Sequence, residues 1–188
     1  MKENYLIELD PSKLDVDWQE LSLEVVSLNY SNYGNFYNNI HATDSTTQWM
    51  METNDWKACD IDFNVCPECK KLYEQLSNIL NCKYIKVQKP RALFLKAGIE
   101  LVKHTHYRVP EQNHLGINYI VSIENGPVNF TEYGDIDYKF AMLNSVEQHS
   151  VPVSEYNRYL IGIPLRYTED TFTWEDVKDL LSEIRLNH

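Results

Sequence analysis

Half of the chain's six histidines fall within the eleven residues from His104 to His114, in the stretch AGIELVKHTHYRVPEQNHLGINYIVSI. The apolar run at 99–102 leads straight into His104-Thr105-His106. On an extended strand, residues i and i+2 point to the same side, so His104 and His106 would project together. Two imidazoles on one face are a common start to a metal site. A lone His-x-His also occurs as a surface pair or as satisfied core histidines, and further residues must argue for chemistry. His149 is one: FAMLNSVEQHSVPV reads as a strand, a turn at Asn144-Ser145, and a second strand that His149 enters. Nine residues later Arg158 opens the apolar run RYLIGIPL. An arginine on such a strand is costly to bury unless an anion meets it, and its planar fork suits a carboxylate.

The elements that must position these residues are mostly strands. From 83 onward the texture is of short strands separated by turns, expected at 83–88, 91–96, 99–105, 115–123, 127–132, 140–144, 149–153 and 158–165. Glu124-Asn125-Gly126-Pro127 and Tyr133-Gly134-Asp135 are turn signals. Eight closely spaced strands imply a sandwich or barrel, since packing or closure must hide so many edges. The histidines would then sit at strand ends, where a barrel of about eight strands leaves room for one small ligand. Before this core, residues 1–82 read as a helical and loop segment covering one sheet from outside. A short helical piece lies in SKLDVDWQELSLEVVSL, and NVCPECKKLYEQLSNILNC forms a helix. A carboxy-terminal helix is expected within 173–187, opened by a Thr173-x-x-Asp176 capping pattern. The whole, at 188 residues, reads as a single mainly β domain with flanking helices.

Composition narrows the function. A hydrophobic share of 43% and 24% charged residues are ordinary for a globular protein. The formal net charge of −11, with no cluster of lysines and arginines, argues against nucleic acid as a partner. No apolar run is long enough for a membrane span, and MKENYLIELD lacks a signal-peptide core, so the expected location is cytoplasmic. Four cysteines, Cys59, Cys66, Cys69 and Cys82, are spaced C-x6-C-x2-C-x12-C. In a reducing compartment they are expected as free thiols, with Cys66-Pro67-Glu68-Cys69 opening a helix. A structural zinc is the alternative, although the spacing lacks a second C-x2-C knuckle.

The joint layout of His104, His114 followed by Leu115-Gly116-Ile117, Asn144-Ser145, His149 with Val151, and Arg158 resembles that of iron(II), 2-oxoglutarate-dependent oxygenases. More specifically it is similar to the aspartyl/asparaginyl β-hydroxylase family, over residues 91–165. The resemblance implies a double-stranded β-helix (jelly-roll, cupin-like) core at 83–167. It implies iron held by His104 and His149, which are then catalytic, with 2-oxoglutarate as co-substrate. Arg158 would bind the far carboxylate of the co-substrate and His114 would assist with one of its carboxylates. The implied reaction is hydroxylation of an unactivated C–H bond in a small molecule or peptide, with a peptidyl or free Asp/Asn-type residue as one option. Two positions depart from the family pattern. His106 stands where most members have an aspartate ligand, so it is either a third metal ligand or a neighbour. Gln112 stands where they have arginine, and Arg108 is close enough in sequence to take over an anion contact.

The same residues fit a second pattern, since Gly98-x5-His104-x-His106-x4-Glu111 matches the first metal motif of cupins. That reading makes Glu111 a candidate ligand and needs neither Arg158 nor His114. A cupin enzyme not using 2-oxoglutarate, or an inactive β-helix acting as a binding module, are the alternatives to an oxygenase.

Overall fold

In RYLIGIPLRY, the buried side chains alternate between two layers, and the fold is built on both sides of that strand. The structure is a computed structural model that describes residues 1–32, 52–80, 85–104, 113–121, 126–167 and 173–186. Among these, twelve strands form: β1 (Leu6–Glu8), β2 (Ser31–Asn32), β3 (Trp56–Asp60), β4 (Ile85–Val87), β5 (Arg91–Leu95), β6 (Leu101–His104), β7 (Asn113–Ile120), β8 (Gly126–Phe130), β9 (Gly134–Tyr138), β10 (Phe140–Leu143), β11 (His149–Val151) and β12 (Arg158–Tyr167). Three α-helices accompany them: α1 (Trp18–Val26), α2 (Pro67–Leu80) and α3 (Trp174–Leu180).

The strands form two antiparallel sheets. The larger has the order β1-β10-β7-β12-β5-β3-β2, with β4 also pairing β12; the smaller has the order β6-β11-β8-β9. Along β12, Ile161, Ile163 and Leu165 face the helices, while Leu160 joins Ile120, Val128, Phe130, Ile136 and Tyr138 between the sheets. This is the period-two alternation of a strand buried on both faces. Arg158 shares the parity of Leu160 and so belongs to the layer between the sheets. The non-consecutive pairing, with β12 between β5 and β7 and β11 between β6 and β8, interleaves the chain's two halves in both sheets. It defines a double-stranded β-helix.

The helices cover the larger sheet on its outer face, as the sequence implies. In α2 the buried residues Cys69, Leu72, Leu76 and Leu80 fall three and four apart, one apolar stripe of a helix. Burying each leucine contributes about 1.5–3 kcal/mol. The amino-terminal ends of α1 and α2 are tied to each other. Asp17 Oδ1 accepts from the Gln19 and Glu20 amides at 3.1 and 3.0 Å. The buried Glu24, from α1, accepts from the Glu68 and Cys69 amides at 2.9 and 3.0 Å. Glu68 returns the contact by accepting from the Asp17 amide at 2.9 Å. Four orphan helix donors are thereby satisfied by acidic side chains, which the helix dipole also favours.

Several expectations from sequence are corrected. The segment before residue 83 is not only helix and loop, since β1, β2 and β3 extend the larger sheet at both edges. The turn expected at Tyr133-Gly134-Asp135 ends two residues early, at Tyr133, and Gly134, at φ +101°, opens β9. Pairing of Ile136 with Val128 overrides the weak strand propensity of this Asp-rich segment. The carboxy-terminal helix keeps its Thr173/Asp176 capping box but stops at Leu180. Beyond it Arg185 bridges Leu9, and the Leu186 amide donates to the Glu8 carbonyl. Among the described residues no helix is long and apolar enough to cross a membrane.

Candidate functional site

His104 ends β6 and His149 begins β11, and the antiparallel register sets them directly opposite each other. Their ring centroids are 4.4 Å apart. Each ring is oriented by its own strand in the same way. His104 Nδ1 lies 2.8 Å from the Val102 carbonyl, and His149 Nδ1 lies 2.8 Å from the Glu147 carbonyl. A carbonyl oxygen only accepts, so Nδ1 carries the proton in both rings and the ligating lone pair falls on Nε2. Backbone bonds of this kind fix tautomer and ring orientation in metal-binding histidines. His149 is buried, with 8% of its surface exposed. Burial first, then the adjacent His104, push its pKa down to about 4 against the backbone bond to Glu147. It is therefore neutral at physiological pH, the form that binds a metal.

Arg158, at the start of β12, is buried, with 5% of its surface exposed. Its Nη1 makes one long contact, 3.4 Å, to the Pro127 carbonyl of β8. Its Nε is fully buried with no hydrogen-bond partner among the described residues. Burial pulls the guanidinium below its ordinary range, while nearby Tyr138 and Asp137 act in the opposite direction. A buried cation with an unfilled donor is costly unless an anion completes it. Tyr138, on β9, is also buried, and its hydroxyl accepts from Asn118 Nδ2 at 3.3 Å. Burial raises its pKa to about 12, so it remains a neutral hydroxyl. Sequence reasoning missed Tyr138 and Asn118. One tyrosine among thirteen carries no motif, and only the pairing of distant strands sets it beside Arg158.

The histidine pair and the arginine lie at different depths of the same barrel. Arg158 touches Pro127, and His149 pairs with Phe130, three residues further along β8. Three strand positions correspond to about 10 Å. His114 sits on β7 across from Arg166 of β12, at the opposite end of that ladder from Arg158. This is the end nearer the histidine pair: Tyr5 packs on Phe130, Leu6 pairs with Leu143, and Leu143 pairs with Gly116. His114 thus shares an element with neither histidine, and its side chain lies outside the described residues, as do His106, Arg108, Glu111 and Gln112. Among the described residues no cluster of three or more His, Cys, Asp or Glu could hold a metal.

The cysteines stand apart from these groups. Cys66 and Cys69 are buried free thiols at the start of α2, and Cys59 is a free thiol on β3. Burial raises the pKa of all three, Glu24 also acting on Cys66 and Cys69. Thiols so raised are unreactive. Cys82 lies outside the described residues.

No family model matches the sequence, and no curated protein matches it. Solved structures do. A prolyl hydroxylase in complex with a hypoxia inducible factor oxygen degradation domain peptide fragment, from Trichoplax adhaerens, is 14% identical, with a TM-score of 0.56 over 88% of this chain and 83% of that one. The viral collagen prolyl hydroxylase of Paramecium bursaria Chlorella virus-1, in its 2OG complex, is 10% identical, with a TM-score of 0.54 over 88% and 97%. The non-heme alpha-ketoglutarate-dependent epimerase SnoN of nogalamycin biosynthesis is 9% identical, with a TM-score of 0.52 over 90% and 81%. Likeness at such low identity establishes the fold. The chain has the double-stranded β-helix architecture that these proteins share.

Proposed function

We propose that the protein is an iron(II)- and 2-oxoglutarate-dependent oxygenase that hydroxylates an unactivated C–H bond. The observation that carries this reading is the buried Arg158 with an unfilled donor, in the same barrel as two carbonyl-oriented, apposed histidines. The residues present fit both groups. His104 and His149 offer neutral imidazole Nε2 atoms to a metal, with His106 as the candidate third ligand. Arg158 would offer Nε and its fork to a carboxylate, and the depth that separates it from the histidine pair suits a short dicarboxylate held between the two sites. When bound, iron and 2-oxoglutarate supply the oxidising power, with succinate and carbon dioxide as the co-substrate's products.

The chain's own residues bind, orient and exclude water. The Val102 and Glu147 carbonyls hold the imidazoles in their ligating tautomer. Arg158 neutralises the far carboxylate where Leu160, Val128 and Tyr138 keep water out. Tyr138, neutral and anchored by Asn118, places a hydroxyl dipole beside the guanidinium. His114 enters as an assisting group for a co-substrate carboxylate, by its family resemblance and by its position at the histidine end of β7. The resemblance to aspartyl/asparaginyl hydroxylases supports an Asp- or Asn-type target. The prolyl hydroxylase bound to a peptide fragment is compatible with a peptide substrate. The test is an anaerobic titration with iron(II) and 2-oxoglutarate, followed by succinate release in air. Stoichiometric iron with dicarboxylate-dependent succinate formation is expected. Metal without succinate would favour a cupin enzyme of other chemistry, and no metal would favour a binding module.

A further inference from the structure

The barrel rim beside His149 carries rings and carboxylates that the metal and anion sites do not use. The Phe130 ring lies 5.8 Å from that of His149, the Tyr5 ring 5.2 Å from Phe130, and the Tyr133 ring 5.5 Å from Tyr5. With His104, five rings form a row of contacts from the histidine pair to solvent. Phe130 is fully buried, Tyr5 is half-buried, and Tyr133 is 46% exposed. Two turns bring carboxylates to this row. Glu132 precedes Tyr133 in the turn after β8, and Glu147 lies in the turn whose carbonyl orients His149. Both are exposed. Tyr5 sits between them in charge terms as well, its pKa raised first by burial and then by Glu132 and Glu147. Among the described residues, Lys2 is bonded to Glu8 and Arg185 to Glu3, so these two cations do not offset them.

We propose that this rim docks a peptide substrate and selects a lysine or arginine beside the residue delivered to the histidine pair. The inference rests on the oxygenase reading and names the substrate class of that site. The exposed Tyr133, the half-buried Tyr5 behind it and the histidine pair span more than one amino acid, and an extended peptide, advancing about 3.3 Å per residue, can reach from one to the other, with the buried Phe130 backing Tyr5 from the core. The ring faces of Tyr5 and Tyr133 accept the stem and charge of a basic side chain, and the flanking carboxylates pair with its head. A chain of net charge −11 also steers basic peptides toward itself.

The test is capture of a positional-scanning peptide array, each position fixed in turn, by the full chain loaded with iron(II) and 2-oxoglutarate without oxygen. Lysine and arginine should be enriched at one position, with capture falling as salt rises. The pair Glu132→Gln and Glu147→Gln should weaken capture of the selected basic peptide about three- to tenfold, the combined effect of losing two exposed ion pairs. The pair Glu132→Lys and Glu147→Lys should shift the preference to aspartate and glutamate. Both glutamates are exposed, so neither change threatens folding. A peptide preference without basic residues, a basic preference that survives loss of both charges, or capture of no peptide overturns the proposal. Calorimetry of 2-oxoglutarate binding to the same unmodified protein separates the two readings. Intact dicarboxylate binding without basic selection defeats the docking inference alone, while absent dicarboxylate binding defeats the oxygenase reading.

Discussion

Replacing Arg158 by methionine removes the guanidinium while keeping most of the stem's volume, and two opposite effects are expected. In the ligand-free protein the charge is 5% exposed, and among the described residues its Nε has no partner and its one hydrogen bond is 3.4 Å long. Such an arginine gains little to offset its desolvation, so an apolar replacement should leave stability unchanged or raise it by about 1–2 kcal/mol. Binding of 2-oxoglutarate should suffer instead. Losing a desolvated, charge-assisted pair costs about 2–5 kcal/mol, which is roughly 30- to several-thousand-fold in Kd. Iron binding should be unaffected, because Arg158 and the histidines lie on different strands about three residue positions apart in depth. Urea unfolding of the apo protein, calorimetric titration with 2-oxoglutarate, and metal content by elemental analysis read the three quantities. Arg158→Lys should recover part of the affinity, having charge but no planar fork. The reasoning is refuted if Arg158→Met destabilises the apo protein by several kcal/mol while the 2-oxoglutarate Kd stays put. The arginine would then be a structural cation.

His104→Ala and His149→Ala should each abolish iron binding in anaerobic titration; His106→Ala decides the ligand set, since lost iron means three histidines and retained iron means two with water. The folded pKa of His149, about 4, lies below its ordinary value of 6.5, so the unfolded chain binds more protons between them. Stability should therefore be full above about pH 6.5 and decline toward pH 4, by up to about 3 kcal/mol at roughly 1.4 kcal/mol per unit. Denaturant unfolding of the metal-free protein across that window, beside His149→Phe, measures it; a variant with the same pH dependence as the parent would refute the assignment. Glu24→Ala strips two amides of α2 of their acceptor and should lower stability by about 2 kcal/mol without moving the 2-oxoglutarate Kd. Unchanged unfolding midpoints would show that the cap contributes nothing.

Features that depend on neighbouring residues were legible in the chain by itself. The capping box of Thr173 and Asp176, the helix opened by Cys66-Pro67, the stripe at 69, 72, 76 and 80, and the turn after Asn144 involve contacts within a few positions. The placement of His104 and His149 at strand ends also follows from local apolar runs and turns. Other features were decided only by distant pairing. Three-residue β1 has no local signal, and becomes a strand because Leu6 and Glu8 meet Leu143 and Ala141 of β10. The Asp-rich β9 is held by β8, and the last helix ends at Leu180 where Arg185 turns back to bridge Leu9. The site divides in the same way. Residue types nominated His104, His149 and Arg158, with His106 and His114 beside them, but spacing says nothing of the 4.4 Å between the His104 and His149 rings, the carbonyls that orient them, or Tyr138 beside Arg158. Those depend on register between strands far apart in sequence, and register is set by which side chains fill the space between two sheets.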